Sequence, residues 1–180
     1  AYHIQLKTSL IETGFYLFIV WRLNIIGAKN HSTLETVIIN VDMVEACSRF
    51  DAEAILGEMI ELAKNPSEEI EADGDWLSLA FNKGQSIFMN RADKVLQENK
   101  QRNENFINIR LRSLELSYNK GKNWVNDQLD KTDKDFRIKM LHAQLEKKTN
   151  IFEEKRLKLE SKRTIQKNHS IVSAGILEVE

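Results

Sequence analysis

The chain has 180 residues, 42% hydrophobic and 29% charged, which is the globular range and supplies enough apolar material for a folded core. Seven Gly and one Pro leave little chain for linkers, and a single Cys47 excludes a disulfide framework or thiolate zinc cluster within the chain and suits a reducing compartment. The formal net charge of -1 hides a polarity: residues 1–80 carry 5 Lys/Arg against 13 Asp/Glu, net -8, whereas residues 81–163 carry 20 against 12, net +8, which points to an anionic partner or to mutual neutralisation.

In chain order, His3 to Thr8 alternates Ile4 and Leu6 with polar residues, and Ile11-Glu12-Thr13-Gly14 supplies turn chemistry. From Phe15 to Ile26 one face collects Phe15, Leu17, Ile19, Trp21, Leu23 and Ile25, and the other Tyr16, Phe18, Val20, Arg22 and Asn24. That pattern predicts a strand buried on one side and partly covered on the other. Its most apolar run, residues 15–21, ends at Arg22 and is far shorter than the ~20 residues of a membrane-spanning helix. After a polar loop over 27–32, Thr33 to Val41 aligns Val37, Ile39 and Val41 as a further strand. The three runs are read as consecutive antiparallel strands.

Ser48-Arg49-Phe50-Asp51 resembles a capping sequence, followed by Ile55, Met59 and Leu62 at helical spacing and closed by Asn65-Pro66. An acidic linker follows with Glu68, Glu69, Glu71, Asp73 and Asp75. Trp76, Leu77, Ala80, Phe81, Phe88, Ala92, Val95 and Leu96 then form a second helical face before the polar stretch QENKQRNEN at 97–105. At the far end Ile171 to Val179 alternates, with Ile171, Leu177 and Val179 on one side, as a closing fourth strand.

Between these lies a long helical pattern with two candidate turns, Asn119 to Lys122 and Asp130 to Asp135. Ile107, Leu111, Leu114, Tyr118, Gly121 and Val125 form a heptad seam that passes through Gly121, and Ile138, Leu141, Leu145, Lys148, Phe152, Lys155 and Leu159 form another. Reversal near residue 120 would set Leu114 against Asp127 and Leu111 against Asp130. Reversal near residue 132 sets Val125 against Ile138 and Leu141, Tyr118 against Leu145, Leu111 and Leu114 against Ile151 and Phe152, and Ile107 against Leu157 and Leu159. Burial of such side chains is worth ~1.5–3 kcal/mol each against roughly 1 kcal/mol for a helical Gly, so the later turn is expected, with Thr132 or Asp133 capping the second helix. The arms would run ~45 Å as a projecting hairpin, with Lys148 and Lys155 keeping the seam thin and partly wetted.

The expected fold is α+β: a small antiparallel sheet of three N-terminal strands plus the C-terminal strand, a short helix, and a long antiparallel helical hairpin of coiled-coil type. Residues 1–80 with 165–180 are expected as the sheet subdomain and 81–164 as the hairpin, turning near 130–134.

Catalytic patterns are missing. Lys83-Gly84-Gln85-Ser86 has the wrong order for a phosphate loop, and Asp73-Gly74-Asp75 lacks the spacing and closing Glu of a calcium loop. His3, His31, His142 and His169 have no ligand partner at helical spacing. Asp42, Glu45 and Asp51 gather at a strand-to-helix junction, where caps and solvated acids are common. No catalytic residue, metal or cofactor is expected within the chain. The functional candidates are the cations of the hairpin: Arg110, Arg112, Lys120 and Lys122 on the first arm, and Lys147, Lys148, Lys155, Arg156, Lys158, Lys162 and Arg163 on the second. Such a surface can meet phosphates or a protein partner without base readout.

The segments INIRLRSLELSY at 107–118, DFRIKMLHAQLEKK at 135–148, FEEKRLKLESKR at 152–163 and the closing VSAGILEVE at 172–180, in this order of elements, resemble the extreme C-terminal domain of bacterial Swi/Snf-type (RapA-like) helicases, over essentially the whole chain. The resemblance implies a non-catalytic accessory or regulatory domain of a cytoplasmic DNA-dependent ATPase and translocase. Motor lobes, with their ATP and magnesium, would lie upstream of Ala1, and the start at Ala1 inside a strand agrees with a piece of a larger protein. Expected partners are those motor lobes and DNA or RNA polymerase, and no membrane. The alternative is a stand-alone coiled-coil protein that dimerises through its hairpin.

Overall fold

The computed structural model describes residues 2–62 and 74–180. Its elements are β1 (Tyr2–Leu6), β2 (Gly14–Ile26), β3 (His31–Asn40), β4 (Glu45–Ala46), α1 (Arg49–Leu62), α2 (Gly74–Leu129), α3 (Asp135–Glu160) and β5 (Gln166–Val179). The fold is α+β. Two compact units are formed, one by residues 1–25, 31–97 and 167–180 and the other by residues 26–30 and 98–166. The predicted helix closure at Asn65-Pro66 and the linker acids Glu68 to Asp73 lie outside the described residues.

In the first unit the strands order as β1-β5-β2-β3-β4. β2 and β3 pair antiparallel, with Trp21 opposite Glu35 and Ile19 opposite Val37. The sheet is mixed rather than purely antiparallel, because β1 runs parallel to β5, with Ile4 opposite Leu177. β1 is therefore not the hairpin partner of β2: the C-terminal strand lies between them. Burial explains the placement. Ile176, Leu177 and Val179 are all buried, so both faces of β5 are covered in its last turn of residues, which suits an interior strand. Parallel partners need a long crossover, here nearly the whole chain, a relationship that local alternation does not reveal.

Both faces of the sheet are covered. Tyr16, Phe18, Val20, Ile38, Leu177 and Val179 cluster with Ala52, Ile55 and Met59 of α1. On the opposite face Trp21 stacks on Phe88 of α2, ring centroids 4.8 Å apart. A Cβ at Gly84 would sit 3.3 Å from Ile19 Cδ1 and 3.4 Å from Ile39 Cδ1, so the missing side chain is what lets this helix approach the sheet. The β2 residues 16–21 are accordingly buried without alternation. α1 begins with the predicted cap: Ser48 Oγ accepts the Asp51 N–H at 3.1 Å and its hydroxyl donates to Asp51 Oδ2 at 2.6 Å.

In the second unit the two long helices run antiparallel, and the chain reverses over residues 130–134. Contacts mark the register from tip to base: Gln128 with Arg137, Gly121 with Lys148, Tyr118 with Thr149 and Phe152, and Asn103 with Lys162 and Arg163. Three expectations need correction. Tyr118 stacks on Phe152, ring centroids 4.4 Å apart, seven residues beyond the Leu145 predicted to oppose it. Helical side chains lean toward their own N-terminus, so Tyr118 leans away from the tip, Phe152 leans toward it, and the rings converge. Apolar residues do not meet at every level, since Leu157 is 63% and Ile151 41% exposed. Finally, the N-cap of α3 is Lys134, with no side-chain cap; its carbonyl accepts the Arg137 and Ile138 N–H groups.

Candidate functional site

Helical spacing brings the site together. Arg110, Ser113 and Ser117 recur at three and four residues along α2, and Lys155, Lys158 and Lys162 at three and four along α3 and the turn that ends it. Because the arms are antiparallel, these two rows flank one groove of about 480 Å³, floored by Leu114 and Leu159. The groove continues toward the tip past Tyr118, Gly121, Lys148, Ile151 and Phe152, sharing Leu114, Ser117 and Lys155 with its first part. Gly121 matters here: a Cβ there would lie 3.3 Å from Lys148 Nζ, so the glycine makes room for that side chain across the arms.

No carboxylate lines either part of the groove. Arg110 lies over the Phe106 ring, 5.2 Å from its centroid, and Lys155, Lys158 and Lys162 make no ion pair among the described residues. Three nearby acids are paired elsewhere. Glu153 binds Arg156 at 3.2 Å, and Glu104 and Glu160 both bind Arg163. Clustered cations without counter-charge repel one another and cost stability, and they raise the local concentration of an anionic partner.

The eleven cations singled out in the sequence therefore divide by environment. Arg110, Lys148, Lys155, Lys158 and Lys162 line the groove. Arg156 and Arg163 are committed to ion pairs, Arg163 also donating to Asn108 Oδ1 at 3.1 Å. Arg112, Lys120, Lys122 and Lys147 are exposed and do not line it. Ser113 and Ser117 were not singled out by sequence reasoning; the signal was there, in small polar residues recurring in step with Arg110.

Several of the other sequence candidates take structural partners. Asp51 belongs to the cap of α1, and the backbone N–H groups of Asp42 and Met43 each donate to Asn40 Oδ1 at 3.0 Å. His3 lies 3.0 Å from Glu178, and His169 packs beside the Phe88 ring. Burial, with the nearby Asp51 charge, raises the Cys47 thiol above its ordinary value, which disfavours the reactive thiolate. Among the described residues no group of three or more His, Cys, Asp or Glu is placed to hold a metal, and no helix is long and apolar enough to cross a membrane. Comparison with models of known protein families finds no match, and comparison with curated proteins finds none either.

Proposed function

We propose that this chain is a non-catalytic interaction domain whose helical hairpin docks an anionic macromolecule. The setting is the one that its resemblance to Swi/Snf-type helicases suggests, an accessory position beside the motor lobes of a cytoplasmic DNA-dependent ATPase. One observation carries the docking role: Arg110, Lys155, Lys158 and Lys162 converge on a groove without a carboxylate. A packing role would not require four uncompensated cations, and neighbouring arginines of the same arm have acquired partners.

Retention on immobilised heparin, eluted with a salt gradient, tests the reading. Reversal of Lys155, Lys158 and Lys162 to Glu is expected to lower the eluting salt clearly more than reversal of Arg112, Lys120 and Lys122, which makes the same change in net charge off the groove. Equal elution of the two variants would reject the groove as the docking element. A second reading, self-association through the hairpin, is favoured by Phe136 and Met140 near the tip, 81% and 54% exposed. Sedimentation of the isolated chain separates the two, since an obligate dimer would support the second.

A further inference from the structure

We propose that the inter-arm groove is the seat of one acidic amphipathic helix, about four turns long, supplied by a partner protein. The inference rests on the docking role above and names its occupant. Length comes first. The two parts of the groove share Leu114, Ser117 and Lys155, and along the second arm they extend from Lys148 to Lys162, two residues past the end of α3. That separation is ~21 Å at 1.5 Å per residue, the length of a four-turn helix.

Chemistry comes second. The floor is apolar, with Leu114, Leu159 and a 41% exposed Ile151, while the rim of the second arm carries Lys148, Lys155, Lys158 and Lys162 and the α2 rim carries Arg110. An apolar stripe flanked by carboxylates is the complement of that surface. Two packed helices leave such a groove open, and a third helix closes it as in a bundle, burying i, i+3, i+4 and i+7 anchors. On the α2 side the rim is low, because Ser113 and Ser117 are small and exposed.

A nucleic acid fits less well. Phosphates would engage the rim and leave Leu114 and Leu159 uncovered. Single-stranded bases need free aromatic faces, and the rings of Tyr118 and Phe152 already stack on each other.

Fluorescence anisotropy with defined probes tests the proposal. The probes are a labelled fourteen-residue peptide with a leucine stripe flanked by glutamates, a scrambled peptide of identical composition, and single-stranded and duplex oligonucleotides of similar charge. The patterned peptide is expected to bind and gain helicity, the scramble to bind about tenfold or more weakly, and the oligonucleotides to bind less tightly than the patterned peptide. Ser117→Trp fills the groove without changing a charge, at an exposed position where circular dichroism verifies the fold, and is expected to weaken the patterned peptide by about tenfold. Failure of the patterned peptide to bind, equal binding of the scramble, insensitivity to Ser117→Trp, or tighter binding of an oligonucleotide would each overturn the helix as occupant. The heparin comparison is independent of these outcomes: if reversal of Lys155, Lys158 and Lys162 still lowers retention selectively, the anionic docking role stands although the helix falls.

Discussion

The side-chain amide of Asn103 donates to the backbone carbonyl of Lys162 at 2.9 Å, joining residues 59 apart in sequence. The same amide donates to the Arg163 carbonyl at 3.1 Å, and its oxygen accepts the Ala28 N–H at 2.8 Å. One buried side chain, 8% exposed, thus holds the base of the hairpin and the β2–β3 loop together, and serves two carbonyls just past the end of α3. Asn103→Leu removes both sets of partners and leaves the Ala28 N–H and two carbonyls wanting, at about 1–3 kcal/mol. Asn103→Asp keeps the shape but sets a carboxylate against two carbonyl oxygens, and is expected to lose at least as much. Urea unfolding of both variants checks this, and an unchanged midpoint would show that the latch contributes nothing.

Two glycines of α2 are expected to answer differently to alanine. Helix propensity favours Ala over Gly by about 1 kcal/mol at either position. At Gly121 the new methyl meets the end of the flexible Lys148 side chain, which can swing aside. At Gly84 it meets Ile19, Ile39 and Trp21, which are buried and fixed. Gly121→Ala should therefore stabilise by up to about 1 kcal/mol, while overpacking of roughly 1–3 kcal/mol should cancel or reverse the gain for Gly84→Ala. Thermal midpoints measured side by side decide it, and a gain at Gly84 equal to that at Gly121 would contradict the close approach of helix and sheet.

What could be read from the sequence divides along physical lines. Apolar, β-branched runs bounded by turn residues locate β2 and β3, and the capping sequence announces α1, because these signals are local. The hairpin tip is legible through the heptads on either side of it, the first passing through Gly121 to end at Val125 and the second starting at Ile138. Neighbour order in the sheet is not legible, since β5 enters beside β1 by a pairing that spans the chain. Nor is the continuity of α2 through 97–105, where the buried Asn103 looks like another surface polar residue. For the candidate site, the cations stand out in the sequence. Their sorting into groove residues and ion-paired residues depends on which carboxylates reach them, and that is set in three dimensions.

Glu35 on β3 is 1% exposed, and Arg49 donates to its Oε1 at 2.6 Å while its Oε2 has no hydrogen-bond partner. Arg91 is close enough for the Glu35 charge to favour its cationic form, against a larger lowering by burial, and it donates to the Thr36 carbonyl at 3.1 Å. Arg49 is half exposed, so water screens its share of the pair. Arg49→Met would leave the carboxylate more poorly compensated, at about 1–3 kcal/mol. Pairing the same change with Glu35→Met should recover most of the loss, because an apolar pair removes the desolvation cost as well as the attraction. A double-mutant cycle measures this, and additive losses would show that the two residues do not act as a pair.

The base of the hairpin is expected to weaken in acid. Hydrogen bonding from Arg163, at 2.6 Å, holds the exposed Glu160 carboxyl below the ordinary glutamate value, and burial opposes this only in part. A carboxyl with a lower pKa folded than unfolded stabilises the folded state above its unfolded value, and that contribution is lost as pH falls through the folded value. Arg163→Met removes the partner of both Glu160 and Glu104. The difference in melting temperature between the wild type and this variant should therefore be full at neutral pH and shrink as pH drops below the ordinary glutamate range. Thermal unfolding followed across that range provides the check. A difference that persists undiminished in acid would assign the role of Arg163 to its contact with Asn108 and to packing rather than to its carboxylate partners.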